Sequence, residues 1–173
     1  MVSQPPDSGH RPFFQLISGL AAEDAIGPVM QVMEQAFDPR FGEAWNHSQT
    51  RSMLAMPLTR VLLAEARGPL HSAGQGDAIG FAMTRRVADE EELLLIAVAP
   101  KWRQFGVASA LLAEVIDDAQ EAGVQRLHLE MRSNNSAIHL YQKFGFAQVG
   151  LRRDYYKGVD SQHYDALTLA IDI

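Results

Sequence analysis

The stretch from Leu93 to Leu112 constrains this chain more than any other. An apolar run, Leu93 to Val98, stops at Pro100, and a basic turn through Lys101, Trp102 and Arg103 follows. Then comes Arg103-Gln104-Phe105-Gly106-Val107-Ala108, where a helix opens. A strand, a glycine turn and a helix N-terminus in that order bring several unpaired backbone N–H groups to one point. The helix dipole adds partial positive charge there, which favours a phosphate-bearing ligand. Gly106 carries no side chain, so the backbone can approach such a ligand closely. Ala108 and Ser109 are small and keep the approach clear. A tight turn without a ligand fits the same residues. The segment matches neither the G-x-x-x-x-G-K-[ST] phosphate loop nor the G-x-G-x-x-G dinucleotide fingerprint.

A chain of 173 residues has the length of one ordinary domain with a proper core. Hydrophobic residues make up 47% and charged residues 21%, the balance of a globular protein. The formal net charge of -6 argues against a broad nucleic-acid footprint. The sequence has no cysteine, so disulfides, thiolate metal sites and a cysteine nucleophile are excluded. Six histidines lie scattered without a ligand spacing, so no metal site is expected. Met1 to Pro12 is polar and proline-containing, and reads as a disordered leader rather than a signal peptide. No apolar run reaches the roughly 18 residues needed to span a bilayer. A cytoplasmic protein without membrane contact is the expectation, and monomer or homodimer stays open.

A single domain over residues 13–173 is expected. Phe13 to Ile17 is a short strand candidate. Ala21 to Phe37 carries Ile26, Val29, Met30, Met33 and Phe37 at helical spacing. A second helix covers Ser48 to Met56, with Ser48 as its cap. Val61 to Ala64 is a strand, Gly68 to Asp77 a glycine-rich connection, and Ala78 to Val87 the returning strand. Asp89 to Glu92 reads as an acidic turn into the strand Leu93 to Val98. A third helix runs from Val107 to Ala122 with Leu111, Leu112, Val115, Ile116 and Ala119 as its buried stripe, and Gly123 suits its C-terminus. Arg126 to Arg132 alternates as a strand, Ser136 to Phe144 is a fourth helix, and strands around 146–152 and 163–173 close the chain. The order β-α-α-β-β-β-α-β-α-β-β implies an α/β fold with a mixed sheet covered by helices.

Arg103, Gly106 and Ala108 fill the [QR]-x-x-G-x-[GA] positions of the acetyl-CoA pyrophosphate loop of the GCN5-related N-acetyltransferases, which this segment resembles. Downstream, Asn134-Asn135-Ser136-Ala137-Ile138-His139-Leu140-Tyr141 and Gly145-Phe146 resemble the N-x-x-A-I-x-L-Y-x-x-x-G-F helix of the same enzymes. The resemblance spans roughly residues 13 to 173. It implies a mostly antiparallel mixed sheet whose two central parallel strands splay apart around acetyl-CoA. A narrower resemblance, to the ribosomal-protein alanine N-acetyltransferases of the RimI type, rests on Ile96-Ala97-Val98, on Leu127-His128-Leu129-Glu130-Met131-Arg132 and on Arg152-Arg153-Asp154-Tyr155-Tyr156. Asp165-Ala166 in the last strand fits it too.

The resemblance implies that the backbone of Ile96, Ala97 and Val98 binds the acetyl and pantetheine part of the cofactor. Gln104, Phe105, Gly106, Val107, Ala108 and Ser109, with Arg103 before them, would hold the pyrophosphate. Asn134 would contact the cofactor. Glu130 becomes the expected general base, Tyr141 the expected general acid, and Tyr155 and Tyr156 the expected acceptor contacts. The sequence departs from the family in three places. The stretch between Glu130 and Ile138 is one residue short, which leaves Asn134 and Asn135 both open for the cofactor contact. Ser109 stands where a basic residue is common. Asp38 to His47 replaces a proline–tryptophan–serine segment that borders the acceptor.

Acetyl transfer to an amine needs a neutral nucleophile, a polarised carbonyl and a proton for the leaving thiolate. An α-amino group has a pKa near 8 against about 10.4 for lysine, so roughly a tenth of it is neutral at pH 7. Modest help from a base, direct or through a water, suffices. Glu130 shares a strand face with His128 and Arg132. An ion pair with Arg132 or Arg126 is its alternative fate, and His128 is a substitute base. For Tyr141 the alternative to a proton donor is core packing, and for Tyr155 and Tyr156 a half-exposed hairpin. The N–H of Val98 would polarise the thioester oxygen. The expected function is acetyl-CoA-dependent N-acetyl transfer by direct transfer in a ternary complex, onto a protein N-terminal α-amine. A small-molecule amine, a lysine, and a non-catalytic CoA-binding regulatory domain are the alternatives.

Overall fold

The computed structural model describes residues 14–67, 77–158 and 162–173. The expected leader and nearly all of the Gly68–Asp77 connection lie outside the described residues. Among the described residues, seven strands, β1 (Phe14–Ile17), β2 (Thr59–Ala66), β3 (Ala78–Val87), β4 (Glu90–Val98), β5 (Arg126–Arg132), β6 (Ala147–Lys157) and β7 (His163–Asp172), and four α-helices, α1 (Ala22–Ala36), α2 (His47–Leu54), α3 (Val107–Glu121) and α4 (Ile138–Lys143), follow the expected order. The strands form one sheet in the order β1-β2-β3-β4-β5-β7-β6. Every neighbouring pair is antiparallel except β4 and β5, which run parallel.

Alternation along each strand divides the core between two faces. Leu62, Ile79, Leu93, Leu127, Leu129 and Met131 pack with Leu111, Leu112 and Val115 of α3 and Tyr141 of α4. Leu63, Phe81, Met83 and Ala97 pack with Val29, Val32 and Met33 of α1. The buried stripe of α3 is the expected one extended by Val107, with Ile116 only partly buried. Gly123 follows that helix with φ 74°, the left-handed turn expected of it. Among the described residues no helix is long and apolar enough to cross a membrane.

The feature that makes room for a site is the parallel pair. Pairing of β4 with β5 runs from Glu90↔Arg126 only to Leu93↔Leu129, although both strands continue beyond that point. On the other edge of β4, Thr84 pairs with Leu93 and Met83 with Leu95, so Leu94 is an extra residue, a bulge. A bulge bends its strand, and here it falls where the two parallel strands part. The apolar run therefore ends as a strand with one backbone edge free.

Two expectations are corrected. Glu90, Glu91 and Glu92 belong to β4, and the acidic turn shrinks to the residues before them. Glu91 is only 2% exposed and receives two hydrogen bonds from the Arg86 guanidinium, at 2.9 and 2.6 Å, while Arg85 and Glu92 approach to 3.9 Å. Cross-strand pairing of opposite charges turns an apparently solvated run into strand. The cap of α2 is Asn46, not Ser48. Its side chain accepts from the Gln49 N–H at 2.9 Å, and the Gln49 side chain accepts from the Asn46 N–H at 2.8 Å, a reciprocal capping box. Replacing Asn46 with Ala should cost about 1 kcal/mol, read as a lower urea midpoint with unchanged slope. An unchanged midpoint would remove the box from the stability of this corner.

Candidate active site

The free edge of β4 forms one rim of a long cleft. The Ala99 N–H donates to the Ile79 carbonyl at 2.8 Å, which fixes the ladder's phase. Antiparallel ladders alternate, so Ala97 turns its backbone toward β3, while Ile96 and Val98 turn theirs into the gap left by β5. Of the three backbone positions expected to serve a ligand, two offer free groups there, and Ala97 contributes as lining. The Val98 carbonyl takes a hydrogen bond from Arg103 Nε at 3.3 Å, so at Val98 it is the N–H that stays free on that rim, as it does at Ile96.

After Val98 the chain makes a 3-10 turn, Pro100–Trp102, then passes through left-handed conformations at Gln104 (φ 68°) and Gly106 (φ 82°). Gly106 is the N-cap of α3 and has no side-chain cap. The first bond inside the helix runs from the Ala110 N–H to the Gly106 carbonyl at 2.9 Å. The N–H groups of Val107, Ala108 and Ser109 thus lack helical partners and stand at the positive end of the dipole. A Cβ built on Gly106 meets no protein atom within 4 Å, so the space in front of the turn is open to a ligand.

The side chains around this turn divide the work. Val107 is buried in the core, so only its backbone faces the cleft. Phe105 is exposed and lies edge-on to Trp102. Arg103 is exposed and lines the cleft, and its guanidinium also donates to the Ala36 carbonyl at 2.7 Å, closing the C-terminus of α1. Opposite the turn, Asn135, Ser136, Ala137 and Leu140 line the other wall of a cleft of about 550 Å³. Asn134 is turned away and hydrogen-bonded to Arg132. Asn135 lines this cleft and its continuation, with its side-chain oxygen held by the Ala137 N–H at 3.0 Å. Of the two asparagines the geometry favours Asn135.

The continuation, about 360 Å³, shares Phe37, Glu43, Ile96 and Asn135 with the first part and is also lined by Trp45, Gln49, Glu92, Glu130, Tyr141 and Tyr156. Glu130 lies just past the point where β5 leaves β4. Its carboxylate is paired neither with Arg132 nor with Arg126 but with Arg152 of β6, whose guanidinium sits 4.0 Å over the Tyr155 ring. Arg126 goes to Asp172 and Arg132 to Glu43. His128 faces Glu90 at 4.0 Å, in the paired part of β5, and does not line the cleft. Tyr141 is 5% exposed, rests edge-on against Phe146, and has no hydrogen-bond partner among the described residues. Burial pushes its phenol well above the ordinary value.

Tyr155 and Tyr156 divide as well. A bulge between Arg152 and Tyr156 carries Asp154 at φ 54°, its N–H held by Asp165 Oδ1 at 2.9 Å. Tyr156 then points into the cleft while Tyr155 stays half exposed. Burial first, then the charges of Glu130 and Glu43, push the Tyr156 phenol up to about 12. Sequence reasoning marked the Asp38–His47 segment as a border but missed Glu43, Trp45 and Gln49 individually, and missed Arg152 as the partner of Glu130. Lone loop residues carry no periodicity, and the register of a bulged hairpin is not readable from spacing.

A sheet parted between two parallel strands, with a phosphate-type cradle on one rim and a carboxylate and a phenol deeper in, defines the class: a GNAT-fold acyltransferase. The model of the acetyltransferase (GNAT) family matches residues 30–146, and the chain belongs to this N-acetyltransferase family. It is 40% identical over 99 residues to the [ribosomal protein bS18]-alanine N-acetyltransferase of Escherichia coli strain K12, across 57% of this chain and 66% of that protein. The aligned stretch thus spans slightly less than two thirds of that relative. The crystal structure of the ribosomal-protein-S18-alanine N-acetyltransferase from Escherichia coli superposes with TM-score 0.77 at 27% identity, covering 92% of this chain and 94% of that one. Arabidopsis thaliana NAA60 in complex with acetyl-CoA shares the fold, with TM-score 0.74 at 18% identity over 92% of this chain and 98% of that one.

Proposed function

We propose that the chain transfers an acetyl group from acetyl-CoA to a primary amine, with the α-amine of a protein N-terminus as the acceptor, by direct transfer in a ternary complex. The observation that carries this reading is continuity: Gln104 and Ala108 of the turn that opens α3 line one half of a cleft, Glu130 and Tyr141 line the other, and the halves share Phe37, Glu43, Ile96 and Asn135. The likeness to bS18-alanine N-acetyltransferases supports the choice of acceptor. Acetyl-CoA supplies, when bound, an activated acetyl thioester. The N–H groups of Val107, Ala108 and Ser109 would hold its pyrophosphate, and Asn135 would contact it from the opposite wall. The Val98 N–H is the donor positioned to polarise a carbonyl oxygen on the β4 rim.

Glu130 takes the proton from the incoming ammonium, directly or through a water. Arg152 engages one of its oxygens, Oε2, and leaves Oε1 without a protein partner among the described residues. Tyr141 holds its proton at Oη throughout the working pH range and donates to the departing thiolate. Thiol release with an alanine-initiated peptide, compared with a polyamine and a lysine peptide, tests the reading. The alanine-initiated peptide should be fastest, and absence of turnover with every amine would sink it. Glu130→Gln should lower kcat/KM for the amine by about 10²-fold, the lower end of general-base effects. Retained activity would show that solvent alone suffices as base.

A further inference from the structure

Glu43 lies on the segment that departs most from the family pattern, and it lines both halves of the cleft. The loop that carries it is built, not loose. Asp38 caps the 3-10 turn Pro39–Phe41 by accepting from the Arg40 N–H at 3.0 Å, and Gly42 ends that turn at φ 62°. Arg132, 5% exposed, then clamps the loop onto β5. Its guanidinium carbon sits 3.5 Å from the centre of the Phe41 ring and 5.4 Å from that of Tyr164. Its Nε and Nη2 reach the two Glu43 oxygens at 3.3 and 3.4 Å. Those contacts are long, and a carboxylate has further lone pairs to offer.

Facing the acceptor half, the charges are one-sided. Glu43, Glu92 and Glu130 line it, whereas Arg132 lines only the adjoining half, beside Glu43, and Arg152 lines neither. The arginines reach their carboxylates from outside that half. The Tyr156 phenol faces the same space: burial does most to hold its proton on, the charges of Glu130 and Glu43 add to that, and Arg152 opposes them. Tyr141, buried and without a hydrogen-bond partner among the described residues, opens into the same space. A group binding there meets negative charge from two walls.

We propose that Glu43, held in place by Arg132, is the acceptor-recognising carboxylate: it captures the substrate's ammonium opposite Glu130, before deprotonation, and so selects cationic amines. The inference rests on the acetyltransferase reading above and adds a residue and a substrate charge state to it. Arg132 acts as a positioning residue, since it grips the loop from the cofactor half of the cleft and does not line the acceptor half. A guanidinium fork stacked on an aromatic ring is not replaceable by an ammonium.

The test compares wild type, Glu43→Gln and Glu43→Asp with the amine acceptor that wild type turns over and with its counterpart in which hydrogen replaces the amino group. For an alanine-initiated peptide that counterpart is the propionyl peptide, used as a competitive inhibitor. Glu43→Gln should raise the amine KM roughly tenfold, the size of one charge-assisted hydrogen bond. The inhibition constant of the neutral counterpart and the affinity for acetyl-CoA should stay within about twofold, and Glu43→Asp should recover part of the loss. If amine, neutral counterpart and acetyl-CoA all weaken together, Glu43 is only structural and the proposal falls. An unchanged amine KM, or a change in kcat alone, also overturns it. Wild type that turns over no amine at all would overturn the acetyltransferase reading first, and this inference with it.

Discussion

Tyr141→Phe should lower kcat about 10²-fold, the lower end of what a positioned proton donor contributes, while acetyl-CoA affinity stays within about twofold. The phenol has no hydrogen-bond partner among the described residues, so removing its oxygen orphans nothing. The ring keeps its edge-on contact with Phe146. Folding stability should therefore change by less than about 1 kcal/mol, which separates a chemical role from a packing role. Burial raises the phenol's pKa, and the sign of that shift makes two further demands. The proton is held more tightly in the folded state, so the donor remains protonated up to and beyond its ordinary value near 10. Loss of activity at alkaline pH below that value must then come from another group. Stability credited to this tyrosine is complete below the ordinary phenol value and is lost as pH rises through the raised folded value. Unchanged kcat in Tyr141→Phe would return the residue to the core.

How far the site was legible follows from which kind of signal each part carries. β3 and β5 appear with the expected bounds: the glycine-rich connection sets off the first, and alternation marks the second. The glycine turn at Gly106 was legible because a positive φ, a strand end and a helix start must coincide in sequence. That Glu130 and Tyr141 line one cleft came from the family resemblance, and the splay explains it: β5 leaves β4 one residue before Glu130. The partners of charged residues were not legible. Glu130 lies near two arginines in sequence, Arg126 and Arg132, yet pairs with Arg152, whose approach depends on strand order β5-β7-β6 and on the bulge after it. The same holds for Glu90 to Glu92, where a run of acids reads as a turn until Arg85 and Arg86 are seen across the ladder. Asn46 was overlooked as a cap because Ser48 is an equally good cap type, and only the reciprocal Gln49 bond distinguishes them.

Gly106→Val should weaken acetyl-CoA binding by about 10- to 100-fold, the loss of one or two hydrogen bonds to a charged group. Two costs are involved, and they can be separated. At φ 82° a side chain costs roughly 1–2 kcal/mol in backbone strain, and a β-branched one is worse placed still. In a domain of this size that strain lowers Tm by about 5 °C. The second cost falls on the ligand alone, because a Cβ at this position meets no protein atom within 4 Å. The space it would fill lies before the free N–H groups that open α3, where a phosphate would approach. Gly106→Ala brings nearly the same strain with less bulk. If the cradle reading is right, Val should lose clearly more acetyl-CoA affinity by calorimetry than its modest extra loss of Tm over Ala accounts for. Equal affinities for wild type and Val would show that the turn is only a turn, and the cleft's phosphate end would have to be sought elsewhere. Parallel loss of Tm and affinity in both variants would trace the defect to the backbone strain.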